Sequence, residues 1–309
     1  MATRPSAVTA LPPEACSVLS RARDEPLLAT APPTQRWLLL EVPRAWPDKI
    51  LTSSELAGAV PRLRAIITSR TGRVLFVRGP GRHGPRRSAQ RSFVVVDALT
   101  QTEAVGQWHP SFTARQPADL EAALAAFAAP GPLVEPAQPR LLVCTHAKHD
   151  QCCAARGRPV VAALDERWPG QVWECSHLGG DRFAANVLSL PDATYLGRLD
   201  AHNAVQALAD HRAGETNARF LRGVATQDPR VQAAVVEVLR ALGPDTAYRM
   251  SGRVTRTLNP DSWRVEVLGH RARDRVTALV TRRVLAPERR TCQATTTKIA
   301  ITYDVTLHP

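Results

Sequence analysis

The stretch RLLVCTHAKHDQCCAARGRPVVAALDERWPGQVWECSH, Arg140 to His177, decides how this chain reads. RLLVCTH is an apolar run of strand length, CAARGRPVVAALDERW from Cys153 to Trp168 reads as a helix, and QVWECSH is a second strand. Strand, crossover helix and strand make a parallel pair whose exits lie at one end of a sheet. One exit carries Cys144, with Cys153 opening the helix after it; the other carries Cys175 and His177. In sheets of this kind ligands bind at the carboxyl ends of the strands.

Toward the C-terminus, NVLSL and ATYLGRL read as a hairpin around Pro191 and Asp192, followed by a helix from about Ala204 and another from Asp228 to Leu242. This order predicts an α/β unit with a small mixed sheet, the general plan of a thioredoxin-like domain. From residue 247 the pattern changes. YRMSGRVTR, WRVEVLG, RVTALVTRRVL and KIAITYDVTL alternate or run apolar between turn residues, which predicts an appended antiparallel sheet. In the other direction, PGPLVEPAQP over residues 130–139 is a Pro-rich linker. Before it, RWLLLEV, RVLFVRG and RSFVVVDAL read as strands, SSELAGAV as a Ser-capped short helix ended near Pro61, and ADLEAALAAF as a further helix. Pro5, Pro12, Pro13, Pro26, Pro32 and Pro33 predict a loosely packed beginning. The expected organisation is a tail over 1–35, a smaller α/β domain over 36–135, and a thioredoxin-like domain with a β extension over 136–309.

A length of 309 residues fits two moderate domains, and 44% apolar with 22% charged residues describes a globular chain. No apolar run approaches the length that crosses a bilayer, so no membrane partner is expected. Arg4, Glu14, Arg21, Arg23, Asp24 and Glu25 interrupt any apolar core of a secretory signal, which makes a cytoplasmic location the expectation. In a reducing compartment clustered thiols serve metal binding or redox chemistry rather than structural disulfides. The net charge of +12 fits attraction to an acidic protein or to nucleic acid, and also the coding bias of a GC-rich genome, in which Arg and Ala are abundant for reasons unrelated to binding.

CTHAKHDQCC, Cys144 to Cys153, concentrates three of the six cysteines and two histidines in ten residues. Four soft ligands drawn from Cys and His suit either structural zinc or a 2Fe-2S cluster. Zinc sites favour tight ligand pairs, whereas the wide loop from Cys144 to Cys153 suits the bulkier cluster. Gly179 and Gly180 allow close backbone approach and offer N–H groups to cluster sulfur. Cys16 and Cys292 stand alone and read as small buried hydrophobes, His146 and His149 as solvated loop residues or outlying donors. No C-x-x-C is present, and vicinal Cys152 and Cys153 could form only a strained disulfide, which weakens a thiol–disulfide redox reading.

The paired segments CTHAKHDQCCAARGRPVVAAL and VWECSHLGGDRFAANVLSLPDATYLGRL resemble the sucrase/ferredoxin-like family of thioredoxin-like 2Fe-2S ferredoxins. ACSVLSRARDEPLLATAPPTQRWLLLE near the start supports the resemblance, and WRVEV near the end supports it weakly. It implies a 2Fe-2S cluster held by two cysteines of the first segment and two histidines of an H-x-G-G-H motif in the second. Matched by position, the cysteines are Cys144 and Cys153 and the first histidine is His177, but the second histidine position holds Asp181. Cys175 is the preferred replacement, two residues from His177 on a strand and softer toward iron than a carboxylate; Cys152 and Asp181 are the alternatives. The implied function is one-electron transfer by an electron carrier rather than a stand-alone enzyme. His177 should raise the reduction potential above that of an all-cysteine cluster. Sugar cleavage, which the family name suggests, finds no pair of carboxylates placed across a cleft.

GPGRHG, Gly79 to Gly84, has the glycine spacing of a dinucleotide site but leads into a strand instead of a helix. It reads as a basic loop carrying Arg78, Arg82, His83, Arg86, Arg87 and Arg91, suited to steering an acidic redox partner protein that docks there or near the cluster. Nucleic acid is the less favoured partner. The rival from another class is a zinc-stabilised basic binding module for nucleic acid or an acidic protein.

Overall fold

A computed structural model describes residues 11–81, 91–111 and 118–308. Where the prolines predict a loose tail, the chain forms α1 (Cys16–Ala22) and buries Ala15, Cys16, Ser17, Leu27 and Leu28. Pro12, Pro13 and Pro26 flank this helix instead of interrupting it, so they limit its length without preventing it.

Strand β1 (Arg36–Glu41) is apolar almost throughout because both of its faces are covered: Leu38 and Leu40 enter one core cluster, Trp37 and Leu39 another. The helix expected to end near Pro61 begins there. Two 3-10 turns, Ile50–Thr52 and Ser54–Leu56, precede α2 (Val60–Ser69), and Pro61 occupies its first turn, where a missing N–H costs nothing. Ser53 does act as a cap, its Oγ accepting from the Glu55 amide at 3.3 Å. Then come β2 (Gly72–Arg78), β3 (Arg91–Asp97), β4 (Thr102–Trp108), α3 (Glu121–Ala128) and the short β5 (Glu135–Pro136).

The stretch from Arg140 folds as β6 (Arg140–Cys144), α4 (Gln151–Arg167), β7 (Val172–Cys175), β8 (Val187–Leu190), β9 (Thr194–Leu196), α5 (Ala204–Arg212), β10 (Leu221–Val224) and α6 (Pro229–Leu242). Finally β11 (Ser251–Asn259), β12 (Ser262–His270), β13 (Arg273–Glu288) and β14 (Lys298–His308) pair in sequence order as the separate antiparallel sheet that the alternation predicts. Helix α6 packs against β10 and against this second sheet, joining the two layers.

The fold is therefore α/β, with a large mixed sheet of ten strands in the order β10-β9-β8-β6-β7-β2-β1-β3-β4-β5. Two runs within it share one plan. Strand β6 is parallel to β7 and antiparallel to β8, which is antiparallel to β9. Likewise β1 is parallel to β2 and antiparallel to β3, which is antiparallel to β4. Each run is strand, helix, strand, then two antiparallel strands and a helix, which is the thioredoxin-like plan.

The two units meet edge to edge. Antiparallel β2 and β7 share only the pairs Val77↔Cys175 and Arg78↔Glu174, so the carboxyl ends of both units face one another. Arg78 Nη2 donates to buried Glu174 Oε2 at 2.7 Å across this seam, and Thr145 Oγ1 donates to the same oxygen at 2.8 Å. The division expected at 135/136 falls within β5, which pairs with β4 at the edge of one continuous sheet. Arg82, His83, Arg86 and Arg87 of the basic loop fall outside the described residues, while its flanking Arg78 and Arg91 are buried. Among the described residues no helix is long and apolar enough to cross a membrane.

Candidate metal centre

Cys144 ends β6, and a short turn returns the chain to α4, whose first turn is capped by Asp150: its Oδ1 accepts from the Cys152 amide at 2.8 Å. Successive helical residues diverge by about 100°, so Cys152 and Cys153 face different neighbours. Cys153 joins Cys144 in the main core, and Cys152 turns toward α1. Gly157, one turn on, makes the approach possible. A Cβ at that position would collide with the Cys144 carbonyl, so only glycine lets α4 lie this close to β6.

Beyond β7 the chain passes His177 and turns at Gly179 and Gly180, which adopt left-handed φ of 89° and 75°. The following 3-10 turn, Asp181–Phe183, brings Asp181 back beside His177. Three side chains hold this loop by its carbonyls. Arg222 Nη1 donates to Gly179 O at 2.8 Å, Asn186 Nδ2 to Gly180 O at 2.8 Å, and Arg73 Nη2 to His177 O at 2.7 Å.

The ligand atoms of Cys144, Cys153 and His177 all lie within 4.8 Å of one another, as do those of His149, His177 and Asp181. Cys153 Sγ donates to Asp181 Oδ1 at 3.0 Å. Asp181 Oδ1 is also 2.7 Å from the buried Nδ1 of His177, a charge contact. Hydrogen bonding from Cys153 holds the Cys144 thiol well below its ordinary range despite complete burial, with His177 helping. The same contact and burial push Cys153 well above its range. Burial lowers the pKa of His177, but the Asp181 carboxylate and Cys144 sulfur outweigh it and raise the group to about 9. Burial likewise opposes ionisation of Asp181, and the His177 charge reverses this, leaving Asp181 lowered. Two buried cysteine sulfurs, the His177 ring and a carboxylate thus converge. This donor set fits a thiophilic metal or an iron–sulfur cluster.

His146 and His149 are not solvated loop residues. His146 is buried, with Nε2 2.8 Å from Pro47 O and Nδ1 accepting from the His177 amide at 3.2 Å. His149 stacks on His177 with ring centroids 3.7 Å apart, and its Nδ1 is 3.2 Å from Asp48 Oδ1. The segment after β1, from the facing unit, thus covers the segment after β6. Sequence distance hides this, because Asp48 and His149 are 101 residues apart.

Cys175 pairs in register with Cys144 and is fully buried, and burial pushes its thiol well up. Strand β7 ends at Cys175, so strand alternation does not extend to His177, and among the described residues Cys175 joins neither ligand group. Cys152 is also absent from both of them. The carbonyls of Gly179 and Gly180 serve the bracing of the loop. Arg182 and Phe183 serve packing: Arg182 Nε binds Glu25 Oε1 at 2.6 Å, and Phe183 is wholly buried. Access to His146, His149 and His177 is from a cleft of about 370 Å³, whose lining includes Lys49, Arg64 and Arg73.

Among solved structures, a serine variant of the thioredoxin-like 2Fe-2S ferredoxin from Aquifex aeolicus is similar over 27% of this chain and 97% of that chain, with 17% identity and a TM-score of 0.25. No curated protein matches the chain. The sucrase/ferredoxin-like family model matches residues 27–223, a span that takes in both thioredoxin-like units, the Cys144 turn and the His177 loop. With well over half of its length matched, this chain belongs to the sucrase/ferredoxin-like family.

Proposed function

We propose that this protein is a cytoplasmic electron carrier that moves single electrons through a 2Fe-2S cluster held by Cys144, Cys153, His177 and Asp181. The observation that carries the reading is the convergence of the Cys144 and Cys153 sulfurs with the His177 imidazole, their ligand atoms within 4.8 Å of one another. Two thiols and an imidazole meeting at one point are the soft donors that such a cluster takes. Asp181 is preferred to Cys175 as the fourth ligand because it contacts both Cys153 and His177, whereas Cys175 stands outside the group. Membership of a family named for ferredoxins supports the same conclusion.

The cluster would supply the one-electron couple; the chain supplies ligation, burial and access. Cys144, Cys153 and Asp181 are buried, which excludes water, while the less buried imidazoles of His149 and His177 face the cleft. Lys49, Arg64 and Arg73 along that cleft favour an acidic redox partner docking there.

A second reading is a single zinc ion on Cys144, Cys153 and His177, favoured by the small spread of their ligand atoms, 4.8 Å at most. Protein purified without oxygen distinguishes the two. The cluster reading expects a red-brown preparation with about two irons per chain and an EPR signal on reduction. It also expects Asp181→Asn to change that signal and Cys175→Ser to preserve it. A colourless preparation with zinc at Cys144 and no iron refutes the proposal.

A further inference from the structure

The cysteines that stand apart in the sequence are brought together in the fold. Cys16 opens α1, Cys152 lies in the first turn of α4, and Cys292 lies in the connection between β13 and β14. Cys16 Sγ is 3.7 Å from Cys152 Sγ, and Cys152 Sγ is 3.4 Å from Cys292 Sγ. Asp150 closes the group. Its Oδ2 is 3.5 Å from Cys16 Sγ, and all four ligand atoms lie within 4.8 Å of one another. Cys16, Asp150 and Cys152 are buried and Cys292 is half-buried. None of them belongs to the group around His177.

We propose that Cys16, Cys152, Cys292 and Asp150 form a second metal site, a structural zinc site of three thiolates and one carboxylate oxygen. Zinc–sulfur bonds near 2.3 Å and zinc–oxygen bonds near 2.1 Å place tetrahedral sulfurs about 3.8 Å apart and sulfur and oxygen about 3.6 Å apart. The observed separations of 3.4, 3.7 and 3.5 Å need only small adjustments to match. The carboxylate is already fixed by two segments: Oδ1 by the Cys152 amide at 2.8 Å, Oδ2 by the Cys292 amide at 2.6 Å. Gln293 Nε2, donating to Lys148 O at 3.0 Å, holds the β13–β14 connection on the same turn. Three thiols and an oxygen in a closed set suit zinc; copper(I) would use the thiolates alone. Binding releases the three thiol protons to solvent and leaves the oxidation states of sulfur and metal unchanged. The site would fasten α1 and the C-terminal sheet to the turn that also leads to Cys153.

Full-length protein is purified without oxygen as wild type, Cys144→Ser and Cys292→Ser, and analysed for metals and by zinc-edge X-ray absorption. The expected result is one zinc per chain in wild type and in Cys144→Ser, with a first shell of three sulfurs and one oxygen. Cys292→Ser should lose zinc at least tenfold more readily to a competing chelator. Zinc missing from both wild type and Cys144→Ser, fewer than three sulfurs in the shell, or a disulfide joining two of the three cysteines overturns the proposal. Should Cys292→Ser fail to fold, the absorption of the other two proteins still decides. Iron is counted in the same samples, so the cluster reading and this one fail separately.

Discussion

Replacing Arg222 by Met tests whether the His177–Asp181 loop is held from behind. Arg222 is 1% exposed and donates to Thr30 O at 2.5 Å, Thr30 Oγ1 at 3.1 Å, Gly179 O at 2.8 Å and Asn186 Oδ1 at 2.9 Å. Hydrogen bonds from a cation to neutral acceptors contribute about 1.5–2 kcal/mol each at the lower end of their range, so four amount to about 6–8 kcal/mol. Against this stands the burial of the charge, which lowers the Arg222 pKa to about 10, an opposing effect of about 3 kcal/mol. The difference predicts that Arg222→Met loses about 3–5 kcal/mol, since methionine fills the volume but leaves the acceptors unpaired. Urea unfolding followed by tryptophan fluorescence measures the loss, and limited proteolysis reports whether residues 178–183 become accessible. A loss under about 1 kcal/mol with the loop still protected would refute the bracing role, because four unsatisfied buried acceptors cannot be that cheap.

Gly157→Ala forces α4 off β6 through its collision with the Cys144 carbonyl, with an expected cost of about 2 kcal/mol or more in chemical denaturation. Wild-type stability in that variant would show that the helix has slack to move. Arg78→Met removes the two hydrogen bonds that Arg78 gives to the buried Glu174 carboxylate and should cost about 1–3 kcal/mol, whereas exposed Arg256→Met should change little by the same assay. Asp192 gives a pH signature. Burial opposes its ionisation, but His211, Ser189 and Thr194 outweigh this, so its folded pKa lies below the unfolded value. Its contribution to stability is complete above that unfolded value and is lost as pH falls through the folded one. Asp192→Asn should therefore flatten the acid limb of the melting-temperature profile below about pH 4, and an unchanged acid limb would contradict the assignment.

The sheet-forming segments were largely legible because strands covered on both faces must be apolar, as RWLLLE, RLLVC and VWEC are. Strand β4, TEAVGQW, escaped for the opposite reason: it lies near the sheet edge, and its Val105 is 59% exposed. Pro61 misled because a proline closes or opens a helix according to its position, and only the backbone decides which. At the site, the grouping of Cys144, Cys153 and His177 was legible from their places at a strand end, in the first turn of the next helix and just past the neighbouring strand, but the approach of Asp181 was not. Strand alternation favoured Cys175, and the left-handed pair Gly179–Gly180 instead folds Asp181 onto His177. The Cys16, Cys152 and Cys292 group was invisible in the sequence, since its members are separated by up to 276 residues and only tertiary packing unites them.

Two units of one plan, joined by antiparallel edge strands over two residue pairs, have the arrangement that a free-standing unit would adopt in a twofold dimer. Free in solution, so short a seam would give little affinity. Within one chain the partner is always present at high effective concentration, so the seam can stay small. Tethering also removes the requirement that both halves remain alike. The strand exit that carries Cys144 and Cys175 in one unit carries Glu41 and Val77 in the other. The unit without those cysteines instead contributes the Pro47–Asp48 segment, which covers the His146 and His149 turn of its twin.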